Sequence, residues 1–338
     1  MKTVVPSRLL AATFILVSLV APLMATGVQE QEEENAPIVV GISKFVSHPA
    51  LDAVEQGIID ELAELGYENI RYDLQNATAD ITTARQIASK FRSDEVDIAV
   101  GIATPVAQAL KQGLDGTPVI YTAITDPVSA GLVESLEVGE PGIAGVSHRT
   151  PVEGQIEFFM AIQEIDSLGH VYSGGETNAV FLASETEAAA EALGIDFVSQ
   201  TISTPAEVRQ AAQSIVNRVD AFYVSTDNQV VSALSSLTEV ATRAGVPVIS
   251  ADPSSALENP VLIAWGFDWY AIGRRTGELI DEVLQGEATQ NIPTVLFDDP
   301  AEMEMLLNLD VAEQLGIDIP SRVMDMADRI IEEGEIQE

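Results

Sequence analysis

The fold is decided by one stretch near the N-terminus, Ile38-Val39-Val40-Gly41-Ile42-Ser43-Lys44-Phe45-Val46-Ser47-His48-Pro49. Its first five residues are aliphatic or glycine, and a polar loop follows at 43–48. A continuously apolar strand is typical of a parallel sheet covered by helices on both faces. From Ala50 to Leu65 apolar residues recur with a period of about 3.6, which predicts an amphipathic helix. The stretch therefore reads as a strand, a loop and a helix.

The same alternation continues along the chain and predicts an α/β protein with parallel sheets. We expect strands near 69–76, 96–103, 118–124 and 142–147, and a second series near 169–173, 196–202, 220–226, 246–251, 260–267 and 293–297. Residues 301–316 read as a helix and 331–338 as a polar tail. Two similar halves indicate two doubly wound lobes with a ligand cleft between them.

The first 27 residues have the pattern of a secretory signal peptide. Lys2 and Arg8 precede the apolar run Leu9 to Leu23, and small residues follow at 25–27. A retained membrane anchor is the alternative, although a span needs about 20 apolar residues. Residues 28–35 read as an acidic spacer. Because the chain has no cysteine, we expect a periplasmic or otherwise extracytoplasmic protein that is not a lipoprotein and has no disulfides.

The net charge of −37 comes from 53 acidic and 16 basic residues. Such a chain repels the phosphate backbone, so nucleic acid is excluded as a partner. An acidic surface with four lysines fits a saline habitat, where screening relieves self-repulsion, and fits an ordinary acidic exported protein equally well.

Polar residues recur at the predicted strand ends, where parallel sheets bind ligands next to helix N-termini. The candidate ligand-binding residues are Ser43, Phe45, Ser47, Thr104, Thr122, Thr125, Asp126, Ser147, Ser173, Glu176, Asn178, Thr226, Asp227, Asn228 and Asp252. Hydroxyls and free N–H groups would hold a carboxylate, and Asp126, Glu176 or Asp227 would pair with an ammonium group. Phe45 would supply an aromatic wall. The set suits a small zwitterion.

Several of these residues also have a purely structural interpretation. Ser47 and Thr104 could be helix N-caps, and Phe45 could pack on its own helix. Asp126 and Asp252 precede prolines, a common turn pattern, and the pair Asp227–Asn228 could cap the next helix. Recurrence at strand ends, more than any one residue, favours a binding site.

Catalytic patterns are weak. The three histidines, His48, His148 and His170, lack metal-ligand spacing, and neither a Gly-x-Ser-x-Gly turn nor a phosphate-binding glycine loop follows a strand. We expect no catalysis, no metal and no cofactor.

The chain resembles the extracytoplasmic substrate-binding proteins of ABC importers that include tryptophan- and tyrosine-type binders. The resemblance covers about 37–327. Its motifs are His48-Pro49-Ala50-Leu51-Asp52-Ala53, Gln75-Asn76-Ala77, Thr83-Ala84-Arg85-Gln86-Ile87-Ala88, Ile102-Ala103-Thr104-Pro105, Thr122-Ala123-Ile124-Thr125-Asp126-Pro127-Val128, Thr150-Pro151-Val152, Thr226-Asp227-Asn228, Gly266-Phe267-Asp268, Gly273-Arg274-Arg275-Thr276-Gly277 and Leu315-Gly316-Ile317-Asp318-Ile319-Pro320.

The resemblance implies a type I periplasmic binding protein fold, with two Rossmann-like parallel-sheet lobes joined by a three-crossover hinge. Lobe 1 would comprise 36–146 plus 268–290, and lobe 2 would comprise 147–267 plus 291–330. Thr104, Thr125, Asp126, Thr226, Asp227 and Asn228 fall in well-matched motifs. Two departures from the family pattern are an extra glycine in the loop 172–178 and an aromatic residue at Phe45.

The resemblance implies the solute-binding component of an ABC importer. We expect a monomer that captures an amino acid, favouring an aromatic one, and delivers it to a membrane permease with a cytoplasmic ATPase. A periplasmic sensor for a chemoreceptor or kinase is the first alternative, and an exported α/β enzyme is the second.

Overall fold

The computed structural model describes residues 36–337. The predicted signal peptide (1–27) and acidic spacer (28–35) lie outside the described residues. Over 36–337, no helix is both long enough and apolar enough to cross a membrane.

The first sheet is parallel throughout and confirms the opening prediction. Its six strands are β1 (Ile38–Lys44), β2 (Ile70–Asn76), β3 (Ile98–Ile102), β4 (Val119–Ile124), β5 (Ile143–His148) and β11 (Val295–Phe297). They lie in the order β11-β5-β4-β3-β1-β2. Strand β1 pairs in parallel with β2 on one side and β3 on the other, so its apolar side chains are buried on both faces.

The second sheet is mixed. Its eight strands are β6 (Ser167–Ser173), β7 (Asp196–Ile202), β8 (Ala221–Val224), β9 (Val248–Ser250), β10 (Ile263–Phe267), β12 (Met303–Asn308), β13 (Arg329–Glu332) and β14 (Glu335–Gln337). They lie in the order β14-β13-β12-β10-β9-β8-β6-β7. Strand β12 is antiparallel to β10, and β14 is antiparallel to β13. The expectation of purely parallel pairing therefore fails at this side of the sheet.

Helices cover both sheets. They are α1 (Pro49–Glu64), α2 (Ile81–Ser93), α3 (Thr104–Gly113), α4 (Val152–Met160), α5 (Thr177–Leu193), α6 (Val208–Ile215), α7 (Asn228–Ser232), α8 (Leu234–Ala244), α9 (Pro253–Ala256), α10 (Trp269–Leu284), α11 (Leu309–Leu315) and α12 (Ser321–Met324). Short 3-10 turns lie at 205–207, 216–218, 289–291 and 300–302. One apolar core surrounds the first sheet, and two others surround the second.

Two C-terminal predictions are corrected. The segment 301–316 was expected to be one helix, but its first half forms β12, and α11 begins only at Leu309. Pairing with β10, in which Ile263 lies opposite Leu307, overrides the helical preference of these residues. Residues from the expected polar tail form strand β14, which pairs with β13.

The chain passes between the sheets three times, after β5, after β10 and after β11. The family resemblance implies that all of 291–330 belongs to the second lobe. However, β11 pairs with β5, which places Val295–Phe297 in the first sheet. The segment is short and partly exposed, so its apolar pattern gives no sign of which sheet it joins.

Helices α1 and α10 pack with their backbones in direct contact. A Cβ on Gly57 would lie 2.4 Å from the carbonyl oxygen of Tyr270, and one on Gly273 would lie 2.3 Å from that of Val54. Both distances are too short for any side chain, so glycine is required on both helices. The close contact fixes the position of the N-terminus of α10 relative to that of α1.

Replacing Gly273 by alanine is expected to reduce the free energy of unfolding by about 1–3 kcal/mol, because the added methyl forces the helices apart. Urea unfolding followed by circular dichroism measures the change. Gly154→Ala is the matched control, since a Cβ there approaches nothing closer than Pro151 Cβ at 3.9 Å. Equal stability of the two variants would contradict the packing argument.

Candidate functional site

A cavity lies where the carboxyl ends of the two sheets face each other. About 320 Å³ of space between the sheets, part of it open to solvent, is not occupied by protein atoms. Elements of the first sheet contribute His48, Ala50, Leu51, Ala123, His148 and Trp269. Elements of the second contribute Asn178, Thr226, Asp227, Asn228, Val231 and Asp252. None of these residues is lysine or arginine, so any positive charge at the site must come from a ligand or a proton.

Helix α1 presents its N-terminus to the cavity through Ala50 and Leu51. The residue before the helix is His48, and no side chain caps the first turn. The N–H groups of a first turn have no partner within the helix and carry partial positive charge. This end of α1 is therefore suited to an anionic group.

The backbone is strained where the first sheet meets the cavity. Ala123, which lines it, has a φ of 56°, and Ala103, just before α3, has a φ of 78°. Such angles are unfavourable for alanine and cluster at functional sites. The register between β4 and β5 shifts at this point. Ala123 contributes only a methyl group to the wall, which leaves room beside it.

Asp252 follows β9 and is buried with one carboxylate oxygen unpaired. Its Oδ1 accepts hydrogen bonds from the Ser254 N–H at 3.1 Å and from Trp269 Nε1 at 3.0 Å. Its Oδ2 is buried and has no hydrogen-bond partner among residues 36–337. A free carboxylate oxygen on a cavity wall favours a cationic donor.

Asp227 is also buried, but its carboxylate is already hydrogen-bonded. Oδ1 accepts from the N–H groups of Gln229 at 3.0 Å and Val230 at 3.1 Å, which caps α7. Oδ2 accepts from the Ser173 N–H at 2.6 Å. Burial raises the pKa of Asp227 to about 6, although these backbone donors oppose the shift. Asp227 therefore caps α7 and also lines the cavity, and both roles agree with the interpretations of the sequence.

Glu176 lies behind Asn228 and is almost completely buried. Its Oε2 accepts a hydrogen bond from Asn228 Nδ2, and its Oε1 has no partner among residues 36–337. Burial, together with the charge of Asp227, raises the pKa of Glu176 to about 8. Glu176 is consequently protonated at neutral pH, which limits the negative charge stored beside the cavity.

The two histidines of the cavity lie in apolar surroundings. His148 ends β5, and its ring lies 4.8 Å from the Trp269 ring in an edge-on arrangement. Burial lowers the pKa of His148 to about 4. Burial also lowers the pKa of His48, against the opposing charges of Asp252 and Asp52. Both imidazoles are therefore neutral at physiological pH.

Several buried polar atoms without a hydrogen-bond partner belong to residues that line this cavity. Buried groups without a hydrogen-bond partner in the described part of the chain include both ring nitrogens of His48 and His148, Asn178 Oδ1, Thr226 Oγ1 and Asp252 Oδ2. Buried polar groups in native proteins are almost always paired. A cluster of unpaired groups around one cavity indicates a ligand-binding site.

Five of the predicted residues line the cavity, namely Asn178, Thr226, Asp227, Asn228 and Asp252. Ser173 and Glu176 support them from behind: the Ser173 hydroxyl accepts from Gln229 Nε2 at 2.8 Å. Polar residues at the predicted strand ends therefore do line the second-sheet side of the cavity.

The remaining predicted residues do not line the cavity, and most have structural partners. The hydroxyl groups of Thr122 and Thr276 share a hydrogen bond of 2.7 Å, and the Ser147 hydroxyl donates a hydrogen bond to the Ile124 carbonyl at 2.8 Å. The Asp126 carboxylate accepts from the N–H groups of 128 and 129, as the turn interpretation expected.

Phe45 is fully buried in the core of the first sheet, so the packing interpretation holds for it. Ser47 is exposed and donates to Asp52. It does not cap α1, because His48 occupies that position. Ser43, Thr104 and Thr125 are buried away from the cavity wall. Thr104 is the first residue of α3, not its N-cap, which is Ala103.

Six lining residues lie outside both the candidate set and the polar loop 43–48: Ala50, Leu51, Ala123, His148, Val231 and Trp269. His48 belongs to that loop, whereas His148 ends a strand of the first sheet and has only its lack of metal-ligand spacing as a sequence signal. Within residues 36–337 no group of three or more histidine, aspartate or glutamate side chains could hold a metal ion.

The family model described as ABC transporter substrate binding protein matches residues 39–331, and the chain belongs to this family. The chain is 33% identical, over 90% of its length and 92% of the relative's, to a tyrosine-binding protein of Clostridioides difficile (strain R20291). The match confirms the family resemblance found in the motifs.

Two solved structures also bear on the arrangement of the lobes. An ABC domain in complex with L-Trp from Streptococcus pneumonia has a TM-score of 0.83 at 30% identity, covering 88% of this chain and all of that one. The ligand-free, open structure of a substrate-binding protein with adhesive properties from Clostridium difficile scores 0.62 at 33% identity, covering 84% and 96%. The structure therefore resembles the ligand-bound relative more closely than the open one.

The pH dependence of stability should reveal the buried carboxyl group of Glu176. Its pKa rises from 4.5 to about 8 on folding, so the stability contributed by its protonated form is fully present below pH 4.5 and lost as the pH rises through 8. Glu176→Gln keeps an acceptor for Asn228 and cannot ionise. We expect the variant and the wild type to have similar Tm values near pH 5, and the variant to be more stable at pH 8.5.

Thermal melts of the ligand-free proteins between pH 5 and 9 measure this difference. Destabilisation by protonation of His148 below pH 6.5 is common to both proteins and cancels in the comparison. Glu153→Gln, at an exposed position on α4, is the control. Parallel curves for wild type and Glu176→Gln would show that Glu176 does not take up a proton on folding.

Proposed function

We propose that this protein is the extracytoplasmic solute-binding component of an ABC importer, and that it captures an aromatic amino acid in the cavity between its sheets. It is exported by its N-terminal signal segment, acts as a monomer and delivers the ligand to a membrane permease driven by a cytoplasmic ATPase. Family membership, the tyrosine-binding relative and the neighbour in complex with L-Trp support the transport role and the ligand class.

The ligand assignment depends on one observation: the cavity has a group suited to an anion on one wall and a group suited to a cation on the other. The uncapped N-terminus of α1, at Ala50 and Leu51, donates N–H hydrogen bonds to the α-carboxylate of the amino acid. The unpaired Oδ2 of Asp252 accepts the ammonium group. These two groups match the charges of a zwitterion without any lysine or arginine.

The apolar part of the cavity holds the ligand side chain. Trp269 provides an aromatic ring, with Leu51 and Val231 beside it. Aromatic pairs in offset or edge-on contact add about 0.5–1.5 kcal/mol beyond simple burial. Trp269 thus takes the place that the sequence analysis gave to Phe45.

Asp252→Asn is expected to weaken amino-acid binding at least tenfold, equivalent to about 1.4 kcal/mol. The asparagine Oδ1 can still accept from Ser254 and Trp269, but its NH₂ group replaces the free oxygen and repels an ammonium group. Isothermal titration calorimetry measures the affinity. This variant is a cleaner test than Asp227→Ala, which also removes three backbone hydrogen bonds.

Asp126→Asn is the matched control, because the Asp126 carboxylate caps a turn and does not line the cavity. It should bind the ligand as the wild type does. Equal affinity of Asp252→Asn and wild type would remove the role of Asp252 in ammonium binding.

A thermal-melt screen of residues 29–338 against the twenty amino acids tests the ligand class. A ligand that binds only the folded state adds about 2.7 kcal/mol of stability at a hundredfold excess over Kd. We expect a selective increase in Tm with one or more of tryptophan, tyrosine and phenylalanine. No shift with any amino acid, together with a shift by another metabolite, would keep the binding-protein role and reject the amino acid.

A further inference from the structure

His148 is held in the aromatic part of the cavity. Its ring meets Trp269 edge-on at 4.8 Å, with an interplanar angle of 78°, and meets Phe267 at 6.2 Å and 68°. It ends β5, directly before the first passage of the chain between the sheets. The orientation of this imidazole is fixed by its contacts with two rings and by its position at the end of a strand.

Neither ring nitrogen of His148 has a hydrogen-bond partner within residues 36–337, although the side chain is only 2% exposed. Since burial lowers its pKa to about 4, the ring is neutral and offers one N–H donor and one acceptor nitrogen. Burying such groups unpaired is unfavourable. His170, which is equally buried in the second sheet, has its Nδ1 in a hydrogen bond with the Tyr223 carbonyl at 2.9 Å, so only its Nε2 is unpaired.

The other unpaired groups of the cavity belong to His48, Asn178, Thr226 and Asp252. Asp252 and His48 are close enough for the aspartate charge to act on the histidine pKa. The proposed function already assigns the ammonium group to Asp252 and the carboxylate to α1. The ring of His148 contacts Trp269 and Phe267, so His148 lines the cavity beside the aromatic wall that the proposed function assigns to the ligand's side chain.

We propose that His148 is a specificity-determining residue, which forms a hydrogen bond with a polar atom on the ligand's aromatic ring. A phenol hydroxyl can donate to or accept from a neutral imidazole, and an indole N–H can donate to it. The protein therefore selects tyrosine or tryptophan over phenylalanine. This inference rests on the proposed function and adds the reason for discrimination within the aromatic class.

The size of the effect follows from the cost of an unpaired site. A site built to hydrogen-bond a ligand group rejects the analogue lacking it far more strongly than an apolar pocket rejects a missing methylene, by about 10⁴–10⁵ in favourable cases. With a single imidazole as partner, we expect the preferred ligand to bind at least about 100-fold more tightly than phenylalanine.

Calorimetric titration of wild type, His148→Phe and His148→Gln with tyrosine, tryptophan and phenylalanine tests the proposal. His148→Phe keeps a ring against Trp269 and removes both nitrogens. It should lose at least tenfold in affinity for the preferred ligand and keep or improve its affinity for phenylalanine. His148→Gln restores a donor and an acceptor, so it should recover part of the discrimination, and it serves also if the phenylalanine variant does not fold.

His170→Phe is the matched control, because His170 lies outside the cavity wall, and its selectivity should equal that of the wild type. Equal wild-type affinity for all three amino acids would overturn the role of His148 and leave the proposed function standing. A His148→Phe variant that loses affinity for all three equally would do the same. If wild type binds none of the twenty amino acids, the proposed function fails, and this inference fails with it.

Discussion

The glycine contact between α1 and α10 is the constraint on which the site depends. Residues that meet across it increase together along both helices: Gly57 meets Gly273, and Glu61 meets Gly277. The helices are therefore parallel, and both N-termini point toward the cavity. The start of α1 supplies the uncapped N–H groups, and the start of α10 supplies Trp269. Two segments more than 200 residues apart in sequence thus form one rigid wall.

Charge at the site is balanced in an unusual way for so acidic a chain. Carboxyl groups approach the cavity from Glu176, Asp227 and Asp252, and no lysine or arginine lines it. Three backbone N–H groups stabilise Asp227, and a proton neutralises Glu176. Asp252 alone retains a buried free oxygen on the cavity wall. This unpaired oxygen suits one ammonium group.

The sequence predicted the fold well because continuous apolar strands and amphipathic helices recur, and β1 is the clearest example. It failed at β12, where pairing with β10 overrides local preference, and at β11, which is too short to show its sheet. At the site, Asp227, Asn228 and Asp252 were predictable because they are polar residues at the ends of apolar strands. His148 and Trp269 were not, because an aromatic residue at the end of a strand or helix is indistinguishable from a core residue until the position of the facing sheet is known.

The hydrogen bond from Trp269 to Asp252 joins a helix of the first sheet to a loop of the second. A hinge motion that separated the two sheets would break this bond and expose both groups to water. The fluorescence of the Trp269 indole depends on the polarity of its surroundings and on the neighbouring carboxylate, so its emission would change when the bond breaks. Trp265 is the only other tryptophan of the chain, so the emission of the unlabelled protein would report any such separation.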